Sequence, residues 1–106
     1  MNNKIDIIHQ LKKALKAKYS DRIKDVILFG SQASGTAAEY SDYDVLIITR
    51  VKSDWRFERE ISDICYGIEL KYDIFIDTLV ISENELDTIR GKQPIYQTAL
   101  KMGIYA

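Results

Sequence analysis

The sequence predicts an α/β fold of the two-layer α+β type, in which helices pack against a small mixed β-sheet. Apolar residues recur at helical spacing in several stretches, and short runs rich in β-branched residues stand between them. Glycine and polar residues separate these segments. With 106 residues, the chain fits a single domain, residues 1–106, built around one hydrophobic core.

The composition is that of an ordinary globular protein, with 46% apolar and 29% charged residues. Fifteen basic and sixteen acidic residues give a net charge of −1, so the basic excess of a nucleic-acid-binding surface is missing. We therefore expect no nucleic-acid partner. No apolar run approaches the length of a membrane span, and no signal-peptide pattern opens the chain. These features predict a cytoplasmic protein without membrane contact.

The first half of the chain predicts a helix, a buried strand and a tight turn. An amphipathic helix over residues 4–19 is indicated by an apolar stripe at spacings of three and four, formed by Ile5, Ile8, Leu11, Leu15 and Tyr19. The β-prone run Val26–Phe29 follows, and Gly30-Ser31 then turns the chain. We expect a short helix at Ser31–Ser34 that ends at Gly35, followed by a polar loop at Thr36–Ser41.

The second half predicts two further strands and at least two helices. The expected segments are a strand at Tyr43–Thr49, a helix over residues 55–69, a strand at Tyr72–Ile81 and a closing helix at Pro94–Met102. Ser82 and Glu85 form a capping-box pattern that predicts a helix start after the third strand. Cys65 is the only cysteine, so neither an internal disulfide nor a cysteine zinc site can form, and its apolar helical context predicts a buried thiol.

Two aspartates, Asp42 and Asp44, stand at the start of the second predicted strand. Because side chains alternate along a strand, both carboxylates project to one face, and the apolar residues that begin with Tyr43 project to the other. Adjacent carboxylates raise each other's pKa unless a cation lies between them. Oxygen-rich sites of this kind suit Mg²⁺, which binds through one or two carboxylates together with water and substrate phosphates. A polar loop that leads into a strand is the alternative interpretation.

The Gly30-Ser31 turn has the features of a phosphate-binding segment. Glycine allows backbone N–H groups to approach a phosphate closely, the serine hydroxyl can donate a hydrogen bond, and a helix that starts there would add its positive end. A Gly-Ser pair after a strand is common, so this feature is not specific by itself.

The combination of the two features resembles the nucleotidyltransferase superfamily of the DNA polymerase β type. A Gly-Ser turn is followed ten residues later by an Asp-x-Asp pair, and a later strand carries another aspartate. Within the superfamily, the chain is similar to the minimal nucleotidyltransferases, single-domain proteins of about this length. The matching residues are Gly30, Ser31, Ala33, Gly35, Ser41, Asp42 and Asp44. One departure is Gln32, where relatives often have an arginine that can contact phosphate or substrate.

The resemblance implies that three acidic residues bind two Mg²⁺ ions and that a nucleoside monophosphate is transferred from an NTP with release of pyrophosphate. ATP is the expected donor. Asp42 and Asp44 match the first two catalytic, metal-binding carboxylates, and Gly30 and Ser31 match the residues that hold the β- and γ-phosphates. For the third carboxylate, Asp73 and Asp77 are both expected on the third strand. Asp73 is preferred because it precedes an apolar run, as in the family pattern.

The resemblance also implies a partner. Minimal nucleotidyltransferases commonly occur beside a HEPN-domain toxin, and some act as antitoxins by adenylylating a tyrosine of that toxin. The alternative is a non-catalytic antitoxin that neutralises its partner by contact alone, although pure binding does not require paired carboxylates. Modification of a small molecule such as an antibiotic is less favoured, because the larger relatives that do this carry an additional helical domain.

Overall fold

A computed structural model describes residues 4–35 and 42–106 of the chain. Within these ranges, the helices are α1 (Lys4–Tyr19), α2 (Ser31–Ser34), α3 (Trp55–Tyr72) and α4 (Pro94–Met102). The strands are β1 (Ile23–Phe29), β2 (Tyr43–Thr49), β3 (Ile76–Ser82) and the short β4 (Ile104–Tyr105). The predicted polar loop Thr36–Ser41 lies outside the described residues.

The strands form one mixed sheet in the order β3-β2-β1-β4. Strand β2 is antiparallel to β1 and parallel to β3, and β4 adds to the outer edge of β1 in antiparallel orientation. Parallel neighbours require a crossover, which α3 provides between β2 and β3. This mixed sheet with packed helices confirms the predicted fold class.

The two faces of the sheet are covered unequally. Helices α1 and α3 pack on one face over a large cluster that includes Leu11, Leu15, Val45, Ile47 and Ile61. The opposite face is covered by the shorter α4, whose Tyr96 and Ala99 pack on alternate sheet residues, among them Ile27, Phe29, Leu46, Ile48 and Ile81. A nine-residue helix is too short to cover the whole face.

The predicted bounds of the first helix, the second strand and the last helix agree with the structure, but the third strand does not. Residues 72–75 were expected to begin this strand, whereas α3 continues to Tyr72 and β3 starts only at Ile76. Tyr72 lies four residues after the buried Ile68 and packs against the same cluster, so the apolar stripe of the helix extends by one more turn. Strand β1 also begins at Ile23, three residues before its predicted start.

The segment after β3 is fixed by polar contacts. Ser82 and Glu85 form the predicted capping box, but it begins a short 3-10 helix, Glu83–Asp87, rather than an α-helix. Arg90 then connects three elements: its guanidinium donates to Glu85 Oε2 at 2.9 Å, to the Val80 carbonyl oxygen at 2.9 Å and to the Tyr96 hydroxyl at 3.4 Å. These bonds tie the connection to both β3 and α4. Among the described residues, none of the helices is long and apolar enough to cross a membrane.

Candidate active site

Three residues lie side by side across the sheet, where β1 ends and where β2 and β3 begin. Asp44 of β2 pairs with Phe29 of β1 on one side and with Asp77 of β3 on the other. Directly paired residues project to the same face of a sheet. The carboxylates of Asp44 and Asp77 therefore lie on the α4 face, in line with the buried Phe29.

Asp42 completes a group of three carboxylates. It directly precedes β2, and its carboxyl group shares a hydrogen bond with that of Asp77. This hydrogen bond, reinforced by burial and by the charges of Asp42, Asp44 and Glu69, raises the pKa of Asp77. Two carboxyl groups can share such a bond only while one of them carries a proton. A cation between the two groups would relieve the same repulsion.

Asp44 is half-buried, in contrast to the exposed Asp42. Burial, together with the charge of Asp42, raises the pKa of Asp44. Burying an unpaired carboxylate costs free energy, and proteins avoid this cost by pairing the carboxylate with a cation. None of the ion pairs between described residues involves Asp44. A bound cation would remove this cost.

Gly30 forms the wall of the site next to Asp44. Its backbone has φ 72° and ψ −155°, a conformation that is essentially restricted to glycine. A Cβ atom at this position would also overlap Asp44 Oδ2. The glycine is therefore required both by the backbone turn and by the close approach of the carboxylate, as its place in the predicted motif implied.

Ser31 begins α2 directly beside this turn, and the turn is anchored from the opposite layer. The backbone N–H groups of Ala33 and Ser34 donate to the Gly30 carbonyl oxygen, each at 3.1 Å. Lys4 Nζ of α1 donates to the Gln32 carbonyl oxygen at 2.6 Å. Gln32 itself is buried, so it occupies a packing position rather than one open to a phosphate. A cavity of about 290 Å³ adjoins the turn, lined by Phe29, Gly30, Ala33, Ser34, Thr98 and Met102.

The structure contradicts the prediction that Asp73 stands on the third strand. Asp73 is the residue at which α3 ends: its φ of 55° is left-handed, and its N–H bonds to the Glu69 carbonyl oxygen. Aspartate tolerates this conformation better than most residues, which suits it to ending a helix. Asp77, the alternative weighed from the sequence, is the residue that meets Asp42 and Asp44. The missing signal was strand register, which depends on where α3 stops.

The donor set fits Mg²⁺ rather than a softer metal. Oxygen ligands from carboxylates suit Mg²⁺, and the cysteine thiol is buried in the opposite core cluster. Within residues 4–35 and 42–106, no group of three or more His, Cys, Asp or Glu side chains is placed to hold a metal ion by itself. A magnesium site does not require one, because Mg²⁺ keeps several waters and uses substrate phosphates as ligands. Asp42, Asp44 and Asp77 would hold the ion from the protein side.

The Gly30 turn thus lies against the Asp44 carboxylate at one end of the sheet, as the resemblance to the nucleotidyltransferases implied. Comparison with known proteins agrees: the sequence model of the family described as "Nucleotidyltransferase domain" matches residues 8–100. This chain belongs to that family, and is accordingly an enzyme of the nucleotidyltransferase class.

Two relatives from Methanocaldococcus jannaschii carry the name "Putative protein adenylyltransferase". MJ0604 is 42% identical over 81 residues, which cover 76% of this chain and 76% of the relative. MJ0141 is 38% identical over 76 residues, covering 72% and 77% respectively.

Solved structures share the fold. One is a crystal structure of a toxin–antitoxin with AMP-PNP. The match covers 92% of this chain and 69% of the chain in that structure, with a TM-score of 0.63 and 18% sequence identity. A Shewanella oneidensis structure, described as a tri-AMPylated HEPN toxin in complex with MNT antitoxin, matches 93% of this chain and 67% of its own. Its TM-score is 0.56, with 16% identity.

Proposed function

We propose that this chain transfers AMP from ATP to a protein hydroxyl group in a Mg²⁺-dependent reaction. The observation that carries the proposal is the meeting of Asp42, Asp44 and Asp77 beside the Gly30 turn. The names of the M. jannaschii relatives support a protein as the acceptor. The proposed setting is the cytoplasm, where ATP is abundant.

The proposed reaction is an in-line displacement at the α-phosphorus of ATP. The acceptor oxygen forms a bond to the α-phosphorus while the bond to the bridging oxygen of pyrophosphate breaks. Gly30 and Ser31 hold the β- and γ-phosphates, and the acceptor proton passes to an oxygen atom of the carboxylate group formed by Asp42, Asp44 and Asp77. When bound, two Mg²⁺ ions would neutralise the charge that develops on the attacking and leaving oxygens.

We further propose that the acceptor is a tyrosine of a HEPN-type toxin and that the chain acts as its antitoxin. Support comes from the tri-AMPylated HEPN toxin in complex with the MNT antitoxin of S. oneidensis, whose antitoxin fold this chain shares.

The test combines label transfer with a binding measurement. The full chain is incubated with Mg²⁺, α-labelled ATP and a HEPN-type protein encoded beside it, and is compared with the Asp42→Asn/Asp44→Asn variant. We expect label on the toxin from the unaltered chain only. Mg²⁺ with ATP should also raise the melting temperature of the unaltered chain, because a ligand that binds only the folded state stabilises it. Failure of both effects would refute the proposal.

The second candidate is neutralisation by contact alone. It predicts that the Asp42→Asn/Asp44→Asn variant still protects cells against the toxin, whereas transfer predicts that protection is lost. The two raised carboxyl pKa values favour transfer, since a surface used only for contact gains nothing from holding like charges together.

A further inference from the structure

An apolar groove opens at the β3 edge of the sheet, between the end of α3 and the residues that lead into β3. It has a volume of about 320 Å³ and is lined by Tyr66, Glu69, Leu70, Asp73, Ile74 and Phe75. Three of these side chains are unusually open to solvent for apolar residues: Tyr66 is 59% exposed, Leu70 67% and Phe75 71%. Tyr66 and Leu70 are one helical turn apart on α3, so they present one continuous surface.

Two hydrogen bonds, one between backbone groups and one to a side chain, join the groove lining to residues next to the carboxylates. The carbonyl oxygen of Phe75 accepts a hydrogen bond from the N–H of Tyr43, which stands between Asp42 and Asp44, at 2.8 Å. Glu69 Oε2 accepts from the N–H of Ile76, the neighbour of Asp77, at 2.9 Å. The groove lining and the carboxylates are thus held together by short, directly bonded segments.

The direction of the proposed reaction assigns the two sides of the site to different substrates. Gly30 lies on the β1 side of Asp44, whereas Asp77 lies on its β3 side. In an in-line displacement, the attacking oxygen approaches opposite to the leaving group. If pyrophosphate departs on the Gly30 side, the acceptor hydroxyl must arrive from the β3 side, which is the side of the groove.

We infer that this groove binds the polypeptide segment of the acceptor protein that surrounds its modified tyrosine. The inference rests on the proposed function and adds the surface that recognises the substrate. The exposed apolar side chains would be covered by apolar residues of the segment, a gain expected only on binding. Glu69 and Asp73 are acidic, and no basic side chain lines the groove among the described residues. The segment therefore carries an apolar residue and a lysine or arginine near the tyrosine.

The test separates binding from chemistry. A fluorescent peptide with a tyrosine flanked by leucine and lysine is titrated with the full chain, without ATP, and anisotropy is recorded. The comparison peptide has serine and glutamate at the same positions. Leu70→Asp and Phe75→Ser alter the groove, and Ile89→Asp is the matched control, because Ile89 is 87% exposed and lies outside the groove lining. Asp77→Asn removes a proposed catalytic group and leaves the groove intact.

We expect the leucine–lysine peptide to bind, with affinity lowered about tenfold or more by Leu70→Asp and Phe75→Ser and unchanged by Ile89→Asp and Asp77→Asn. The inference would be overturned if neither peptide bound or if both bound equally. It would also be overturned if the groove variants bound the peptide as well as the Ile89→Asp control does. Label transfer to the bound peptide from ATP is measured in parallel. Groove-dependent binding without transfer by the unaltered chain would support the groove and reject the proposed function.

Discussion

Asp44 and Asp77 are direct neighbours on the parallel strands β2 and β3, and Asp77 is also hydrogen-bonded to Asp42. Three acidic side chains thus lie together: Asp44 on β2, Asp77 on β3, and Asp42 just before β2. This relationship determines which carboxylates lie close enough to act together.

Asp77, rather than Asp73, is expected to be the third functional carboxylate. Asp77→Asn should lower the rate of AMP transfer about 100-fold or more, because a positioned proton acceptor or metal ligand is lost. The matched variant Asp73→Asn should leave turnover with saturating acceptor within about threefold, since Asp73 ends α3 and asparagine also tolerates a left-handed backbone. The measurement is single-turnover transfer from labelled ATP. The opposite ranking of the two variants would restore Asp73.

The same carboxylates should lower the stability of the ligand-free protein at neutral pH. Because the pKa of Asp77 is raised on folding, its favourable contribution is full below the unfolded pKa of about 3.9 and is lost as pH rises through the folded value. Asp77→Asn should therefore raise the free energy of unfolding at pH 7 by about 0.5 kcal/mol, a small value because the group is exposed, and should raise the melting temperature accordingly.

This stability difference should shrink as pH is lowered below about 3.9, where the aspartate becomes protonated in both states. Thermal unfolding in a pH series without divalent cations measures it. Asp63→Asn, on the exposed side of α3, is the control and should show no such trend. A difference between Asp77→Asn and the unaltered chain that does not change with pH would contradict the interpretation.

Gly30 and Gly35 form a matched pair for testing the turn. Both have positive φ. A Cβ at Gly30 would meet the Asp44 carboxylate, whereas at Gly35 no atom of the described residues lies within 4 Å. Gly30→Ala should destabilise the chain by about 1–3 kcal/mol and abolish AMP transfer. Gly35→Ala should cost only about 1 kcal/mol and retain transfer. Urea unfolding and the transfer assay distinguish these outcomes, and equal effects of the two substitutions would count against a special role for Gly30.

Cys65 should be unreactive in the folded protein. Burial, with a contribution from Glu69, raises the pKa of its thiol to about 12, and the side chain is 3% exposed. Thiolate is the reactive form, so labelling at pH 8 should proceed only through opening of the core and be slower than in the denatured chain by about 10³-fold or more. Ellman's reagent with and without denaturant provides the measurement. Rapid labelling of the native chain would show that the α3 interface opens easily.

Several features of the fold were predictable from local chemistry. The apolar stripe of α1 and the β-branched run of β2 each carry a pattern that only one secondary structure satisfies, and both have the predicted bounds. The fold class followed from the order of these segments. The positions of Gly30 and Asp44 were also predictable from local sequence. The turn needs a glycine, and alternation along β2 places the aspartates on the face opposite to Tyr43 and Val45.

The third carboxylate could not be assigned from the sequence alone. In the stretch from Tyr72 to Ile81, both Asp73 and Asp77 precede apolar residues, so local pattern and β-propensity do not distinguish them. The choice depends on the last turn of α3, where packing of Tyr72 against the core extends the helix and leaves Asp73 to end it. It depends also on the register that sets Asp77 beside Asp44. Helix length and strand register are properties of packing between distant segments, and therefore only the tertiary structure decided them.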